Sequence, residues 1–134
     1  VLDRRQQRFM AHLDEVLRKS TSGEAVRALA DAHSAWLREG NDRGCIMIKA
    51  MGEFAAHGPD IHARARAAKQ ELLSRIHEAL AKDGLANQAR LAQSVFLVLE
   101  GSNSAVPVLG LEASLKSARQ SVDDLLDVVA GGGQ

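Results

Sequence analysis

The chain has 134 residues, enough for one domain spanning positions 1–134 with a core of its own. Its 17 Lys and Arg residues balance 17 Asp and Glu residues, so no net charge attracts the chain to nucleic acid or to an anionic membrane. A single cysteine excludes an intramolecular disulfide, and the longest apolar runs are too short to cross a bilayer, so we expect a cytoplasmic protein with no membrane contact.

The first residues already follow the rhythm of a helix. Apolar residues recur at helical spacing from Leu2 to Leu17, and no capping residue precedes Val1. The pattern predicts a helix from about Val1 to Arg18 that starts in mid-course, so we expect that residues N-terminal to Val1 have been removed or are not shown. A natural helix start with a frayed end would give the same pattern.

A second helix follows the polar run that ends at Gly23. Thr21 and Glu24 match a capping box, in which a hydroxyl and a carboxylate each bind a backbone N–H at a helix start, so this helix is predicted to begin near Ser22. It ends at Gly40, because Gly accepts the positive φ of a helix terminus. The inward face is predicted to carry Val26, Leu29, Ala30, His33, Trp36 and Leu37.

Two residues of this inward face are polar or aromatic. His33 either binds a backbone carbonyl in the core or contacts a ligand, and the sequence leaves both open. Trp36 is the only Trp, and the chain lacks Tyr, so it offers the largest rigid surface for a core or for a pocket.

The segment from Arg43 to His57 is apolar on nearly every side, which suits a helix only where other helices surround it. It is therefore predicted to form the central helix of a bundle, with Asp42 as its N-cap. Gly58 and Pro59 end this helix and open the next, since Gly accepts the left-handed conformation and Pro suits a first helical turn.

The fourth helix, predicted from Pro59 to Lys82, is amphipathic and lies outside the central one. Basic residues flank its apolar stripe without interleaved aromatic residues, so we interpret them as a solvated face and not as a nucleic-acid-binding patch. The basic residues are Arg64, Arg66, Lys69 and Arg75, and the stripe is Ile61, Ala65, Ala68, Leu72, Ile76 and Leu80.

The last two helices carry more apolar surface than one chain can cover. The fifth begins near Ala86 and ends or kinks at Pro107, and the sixth runs from Leu111 to Ala130 with a narrow heptad seam. We predict that they pair with the same two helices of a second copy in a four-helix bundle, giving a homodimer. The predicted dimer interface comprises Leu91, Val95, Val98, Ser102, Ala105, Leu115, Ala118, Val122, Leu125 and Val129.

The sequence offers little support for a metal or catalytic site. A carboxylate-bridged di-metal bundle needs Glu-x-x-His on paired helices, and the chain contains no such motif. Glu53 and His57 stand one turn apart and could share a metal, but we interpret His57 as a helix C-terminal histidine near a carboxylate. No nucleophile with an adjacent base can be identified, so we predict no enzyme activity, no metal and no cofactor.

A mostly apolar interior remains as the candidate site. Met side chains adapt to varied shapes, so a pocket for a small apolar or amphipathic effector is physically reasonable, although each residue could equally belong to an ordinary core. The predicted ligand-binding residues are Phe9, Leu13, His33, Trp36, Met47, Met51, Phe54 and Phe96.

The segment RGCIMIKAMGEFAAHGPDIHARARAAKQELLSRI, from Arg43 to Ile76, resembles part of the C-terminal effector-binding and dimerisation domain of TetR-family transcription regulators. That family has a helix opening with a similar Arg-Gly-Cys and apolar run, an Asp-containing turn and a long Arg-rich helix. The likeness continues in VLDRRQQRFMAHL, which is similar to the helix joining the family's two domains, and in SVFLVLEGSNSAV and LEASLKSARQSVDDLL, which are similar to its dimerisation helices.

The resemblance implies an all-α six-helix bundle that dimerises through a four-helix bundle. It also implies a repressor in which a small-molecule effector changes the spacing of two DNA-reading heads. DNA would be bound only through an N-terminal domain missing from this chain, with residues 1–18 as the truncated connecting helix. Two alternatives stay open, a stand-alone helical dimer acting as a protein-interaction adaptor and a metal-dependent bundle enzyme.

Overall fold

The structure, a computed structural model, describes residues 2–41 and 59–132. The helices in these ranges are α1 (Leu2–Lys19), α2 (Ala25–Asn41), α3 (Pro59–Lys82), α4 (Ala89–Ser104), α5 (Val106–Leu109) and α6 (Leu111–Gly132). No β-strand occurs within them, so the predicted all-α class is confirmed. The predicted central helix from Arg43 to His57 lies outside the described residues, together with Met47, Met51 and Phe54.

The core lies where α1, α2, α3 and α4 meet, and α6 covers it from the side of α2 and α4. Each of these helices contributes at least one side chain with no exposed surface: Leu13, Leu29, Ile76, Val95 and Val122. Burying an aliphatic side chain of this size stabilises the folded state by roughly 1.5–3 kcal/mol. These contacts therefore provide most of the force that holds the helices together.

The end of α3 follows the sequence prediction closely. Gly84 has φ +79°, and the N–H groups of Gly84 and Leu85 bind the carbonyls of Ala81 and Leu80 at 3.1 Å and 2.7 Å. This is the Schellman arrangement, in which a glycine in the left-handed region reverses the chain. Leu85 then packs against the core, which directs the chain towards α4.

The start of α2 differs from the prediction. The helix begins at Ala25 and not near Ser22, and its first N–H groups are bound by a carboxylate from another part of the chain. Asp83 accepts hydrogen bonds from the N–H groups of Gly23 at 2.7 Å, Ala25 at 2.9 Å and Val26 at 2.9 Å. A carboxylate 58 residues away from Ala25 in sequence therefore performs the capping that was assigned to Thr21 and Glu24.

Two further contacts close this junction. Lys82 donates from its Nζ to the carbonyl oxygen of Leu17 at 2.5 Å, at the end of α1. Ser22 donates from its hydroxyl to the carbonyl oxygen of Lys82 at 2.7 Å. The end of α1, the start of α2 and the end of α3 are thus joined in one hydrogen-bonded corner.

Helix α6 divides its apolar residues between two faces. Leu115, Ala118, Val122 and Leu126 are buried inside the chain, whereas Leu125 is half-buried on an adjoining face. The buried stripe shares Leu115, Ala118 and Val122 with the predicted heptad seam and includes Leu126 in place of Leu125. The pairing of this seam with a second copy stays a prediction.

Ion pairs fix the outer side of α2 against α6. Arg27 Nε lies 2.9 Å from Asp123 Oδ1, and Arg119 Nε lies 2.7 Å from Asp31 Oδ1. Arg119 also contacts Asp123 one turn further along α6. Isolated surface pairs contribute little, but a shared network restrains each side chain in advance and fixes the register of the two helices.

The corner formed by Asp83 leads to a prediction. Replacement of Asp83 by Ala should lower the free energy of unfolding by about 2 kcal/mol, because three N–H groups at a helix start lose a charged acceptor. The capping-box variant Thr21→Ala should change the free energy by less than about 0.5 kcal/mol, since Thr21 is exposed. Urea denaturation followed by circular dichroism measures both, and equal losses would show that Asp83 is not the principal cap.

Candidate functional site

A cavity of about 60 Å³ lies among α1, α2, α3 and α4. Apolar and aromatic side chains form most of its wall, and a few polar side chains converge on it, as in small-molecule sites. The lining residues are Arg5, Gln6, Phe9, Met10, His33, Trp36, Leu37, Gly40, Ala68, Lys69, Leu72, Glu100 and Asn103.

Three rings from α1 and α2 form the aromatic side of the cavity. Phe9 stacks on Trp36 with a centroid separation of 4.8 Å and an interplanar angle of 26°, and it meets His33 at 6.1 Å in a tilted arrangement. His33 and Trp36 fall on one face of α2 because they are three residues apart. The three rings therefore pack against one another and form one continuous aromatic wall.

Arg5 brings a cation to this wall. Its guanidinium carbon lies 5.1 Å from the centroid of the Trp36 ring, a cation–π distance. Gly40 makes the room, because a Cβ atom at that position would lie 2.5 Å from Arg5 Nη2. Arg5 Nε is buried, and the described residues provide it with no hydrogen-bond partner.

His33 is the second polar group buried in the wall. His33 is 6 % exposed, and its Nδ1 has no hydrogen-bond partner among the described residues. Burial lowers the pKa of His33 from 6.5 to about 4, and the positive charge of Lys69 acts in the same direction. The ring is therefore neutral at pH 7 and carries one N–H donor and one acceptor nitrogen.

A polar edge of the cavity is formed by α1, α3 and α4. Lys69 Nζ lies 3.0 Å from Glu100 Oε1, and both side chains are about 30 % exposed. Gln6 Nε2 donates to the backbone carbonyl of Ala68 at 3.2 Å. The edge is thus hydrogen-bonded within the protein, in contrast to Arg5 Nε and His33 Nδ1.

The structure brings part of the predicted ligand-binding set together. Phe9, His33 and Trp36 line the cavity. Leu13 is fully buried in the core and is not among the lining residues, and Phe96 packs against the core from a half-buried position.

Sequence reasoning missed the charged part of the lining. Arg5 lies one turn before Phe9 on α1, so helical spacing alone could have placed it beside the aromatic residues. Lys69 was interpreted as part of a solvated face, but it faces Glu100 at the edge of the cavity. Glu100 comes from α4, and no local pattern predicts a pairing across 31 residues.

The ten residues predicted for the dimer interface fall into a buried group and a half-buried group. Six of them are buried within the single chain, which leaves them little surface to offer a second copy: Leu91, Val95, Ser102, Leu115, Ala118 and Val122. Ser102 is held there because its backbone carbonyl accepts a hydrogen bond from the Ser114 hydroxyl. The remaining four, Val98, Ala105, Leu125 and Val129, are half-buried.

An apolar groove runs between α4 and α6 on the outer side of the chain. It contains Val98, Leu125 and Val129, together with the strongly exposed Leu97 and Val128, which are 67 % and 72 % exposed. Large aliphatic side chains at that exposure are typical of a surface that another chain covers.

Two kinds of site are not seen in the part of the chain that the structure describes. No group of three or more His, Cys, Asp or Glu side chains in residues 2–41 and 59–132 is arranged to hold a metal ion. Every helix in those ranges is too short or too polar to form a transmembrane span.

Comparison with known proteins decides the family. A family model described as "Tetracyclin repressor-like, C-terminal domain" matches residues 23–122, about three-quarters of the chain. The chain belongs to the TetR family as a C-terminal domain. No curated protein and no solved structure matches the chain.

Membership gives the cavity and the groove a context. TetR C-terminal domains are ligand-binding and dimerisation domains of regulators and are not a family of enzymes. The matched segment begins just before α2 and ends inside α6 at residue 122, so it includes α2, α3 and α4 of the cavity wall and only the first half of α6, before the groove residues Leu125, Val128 and Val129.

The buried histidine of this TetR domain gives a pH prediction. The unfolded chain binds a proton at His33 near pH 6.5, whereas the folded chain does so only near pH 4, so stability is fully present above pH 6.5 and falls as the pH falls towards 4. The loss amounts to about 3 kcal/mol at pH 4. In His33→Gln this part of the pH dependence should disappear from urea denaturation curves.

A matched control separates this effect from general acid destabilisation. His77 is exposed on α3, so His77→Gln should keep the full pH dependence of the parent chain. Parallel curves for the parent and His33→Gln between pH 7 and pH 4 would contradict the assignment.

Proposed function

We propose that this chain is the effector-binding and dimerisation domain of a TetR-like transcriptional repressor that acts in the cytoplasm. A small molecule enters the cavity among α1–α4, and in the full-length protein its binding is coupled to release of DNA. DNA contacts belong to a separate N-terminal domain. The observation that carries the proposal is a cavity in a family of ligand-binding domains. Its wall holds two buried polar atoms that have no hydrogen-bond partner in residues 2–41 and 59–132, Arg5 Nε and His33 Nδ1.

The burial of those two atoms has a cost in free energy. A buried polar group without a hydrogen bond costs about 1–3 kcal/mol, so a core whose only task is stability would not keep two of them beside one cavity. A ligand that supplies the missing partners recovers this free energy on binding. The adaptor alternative needs a filled core and is less well supported for that reason.

The cavity is smaller than a drug-sized ligand. A volume of about 60 Å³ holds a few water molecules, whereas pockets for drug-sized ligands occupy roughly 300–1,000 Å³. A ligand must therefore be small or must move the wall. Trp36 and Arg5 are the natural moving parts, because Trp36 is only half-buried and the Arg5 side chain is long.

Such a movement would reach α1. This helix contributes Arg5, Gln6, Phe9 and Met10 to the wall, so displacement of the Arg5–Trp36 pair acts directly on its N-terminal half. In the proposed full-length regulator this half continues towards the DNA-binding domain. The ion pairs between α2 and α6 connect the same wall to the groove.

The groove is the proposed contact with the second copy. Helices α4 and α6 would pack against the same helices of a partner around a two-fold axis, which covers Leu97, Val98, Leu125, Val128 and Val129. This surface overlaps the sequence-predicted interface at Val98, Leu125 and Val129 and extends it to residues outside the heptad seam.

Filling the cavity tests the effector site. Ala68 lines the cavity, so Ala68→Leu adds three carbon atoms to it and should weaken binding of any cavity ligand about tenfold or more. A small-molecule library screened by the fluorescence of Trp36, the single Trp, identifies the ligands.

The control for this variant is Ala67→Leu. Ala67 directly precedes Ala68 on α3 and is exposed, so Ala67→Leu should bind the same ligands with the affinity of the parent chain. Library ligands that bind to Ala68→Leu with unchanged affinity, or a parent chain that binds none of them, would contradict the proposed site.

Charge in the groove tests the dimer. The double variant Leu97→Asp, Val128→Asp should be monomeric at concentrations at which the parent is a dimer, because two carboxylates per chain would have to be buried. Both positions are exposed in the single chain, so the helical fold should be retained. Sedimentation velocity measures the mass, with Ala67→Asp on α3 as the control that should stay dimeric. Dimers of unchanged affinity would place the contact elsewhere.

A further inference from the structure

We propose that the cavity is selective for a small monoanion with an apolar body, and that Arg5 anchors the acidic oxygen of this ligand. The inference rests on the proposed function, because it names the chemical class of the effector. Three features of the wall support it: the buried donor Arg5 Nε, which has no partner among the described residues, the balance of charge and the apolar surface.

The donor comes first. Arg5 Nε is buried without a hydrogen-bond partner among the described residues, and a guanidinium only donates, so a ligand atom that accepts would satisfy it. Guanidinium groups fit carboxylates in particular, since two parallel N–H groups can bind two oxygens. The guanidinium carbon lies 5.1 Å from the Trp36 centroid, so the donor is already at the aromatic side of the cavity before a ligand arrives.

The balance of charge comes second. Among the described lining residues Arg5 and Lys69 are cations and Glu100 is an anion, so the described part of the wall carries one excess positive charge. Glu100 is already bound to Lys69 at 3.0 Å, which directs its charge away from Arg5. Glu39 lies beside Arg5 in an outer depression and is not part of the lining. A ligand with one negative charge makes the wall and its contents neutral.

His33 is also compatible with a monoanionic ligand. The ring is neutral at pH 7, so it adds no second cation that would call for a dianion. Its Nδ1 has no partner among the described residues, and His33 lines the same cavity as Arg5. One tautomer donates from Nδ1 and the other accepts there, so it can bind either the second oxygen of an acidic group or a hydroxyl on the ligand.

The apolar surface comes third. Phe9, Met10, Trp36 and Leu72 face the cavity and offer nothing to a hydrophilic ion. A bare inorganic anion would lose its water there and receive too few donors in return. A ligand with an apolar body covers these side chains and keeps its acidic group at the Arg5 end.

Cations and neutral molecules fit the same wall less well. A cation would lie beside the excess positive charge at short range, where the low dielectric of the interior strengthens the repulsion. A neutral amide can accept from Arg5 Nε, but its hydrogen bond is weaker than that of a carboxylate. The cavity should therefore rank acids above amides and amides above amines.

The test uses matched probes that differ only in charge. The probes are straight-chain carboxylates of four to ten carbons, benzoate and phenylacetate, each with its primary amide and its primary amine. Binding at pH 7 is measured by isothermal titration calorimetry and by the fluorescence of Trp36. The best carboxylate should bind about tenfold or more tightly than its own amide, and the amines should not bind.

Variants then assign the preference to one side chain. Arg5→Met keeps an unbranched apolar side chain and removes the guanidinium with its charge, so the preference for acid over amide should fall to about twofold or less, while the amides still bind. Arg5→Lys keeps the charge without the fixed Nε–H donor and should lie between the two. Arg4→Met is the control, since Arg4 is exposed and does not line the cavity.

The possible outcomes separate this inference from the proposed function. Amides or amines that bind as tightly as the acids would overturn the charge preference and leave an effector cavity in place. An acid preference that survives in Arg5→Met would overturn the role of Arg5. No binding by any probe in any charge state would overturn the inference and would count against the cavity as an effector site.

Discussion

The carboxylate of Asp83 fixes the first turn of α2, and α2 takes part in almost every other feature of the molecule. Its inner face carries His33 and Trp36 into the cavity, and its outer face is joined to α6 by the ion pairs of Arg27 and Asp31. A helix held at its start and along one side behaves as a rigid element. In the proposed function, a movement of its cavity face would therefore be passed on to α6.

Stability and binding make opposite demands on this cavity. A domain of this size is stabilised by only about 5–15 kcal/mol in total, so two buried polar atoms that lack partners among the described residues would use a noticeable part of it. The surrounding core compensates through fully buried side chains such as Leu13, Leu29 and Ile76. In the proposed function, a ligand that binds these two atoms would recover that free energy.

Local patterns predicted the features that depend on neighbouring residues. The helix from Pro59 to Lys82 and its glycine terminus follow from periodicity and from the conformational freedom of Gly84. Features set by distant residues could not be predicted in this way. The capping of α2 by Asp83 is one example, because Thr21 and Glu24 offered a complete local answer that the structure does not use.

The same limit applies to the candidate site and to the outer surface. Phe9, His33 and Trp36 were predicted because aromatic and polar residues on inward faces are conspicuous, whereas Arg5 was not considered at all. The division of α6 into two apolar faces depends on which neighbours cover it, and a heptad count cannot supply that information. Val122, for example, belongs to the predicted seam and is fully buried in the single chain.

Gly40 has a consequence that a search for functional side chains would overlook. Its missing side chain is what allows a guanidinium from another helix to rest against the indole ring, so even one methyl group there would push that guanidinium aside. Related chains that keep every polar residue of the wall but carry alanine at this position would present a differently placed charge. A position without a side chain can therefore influence which ligands the proposed site prefers.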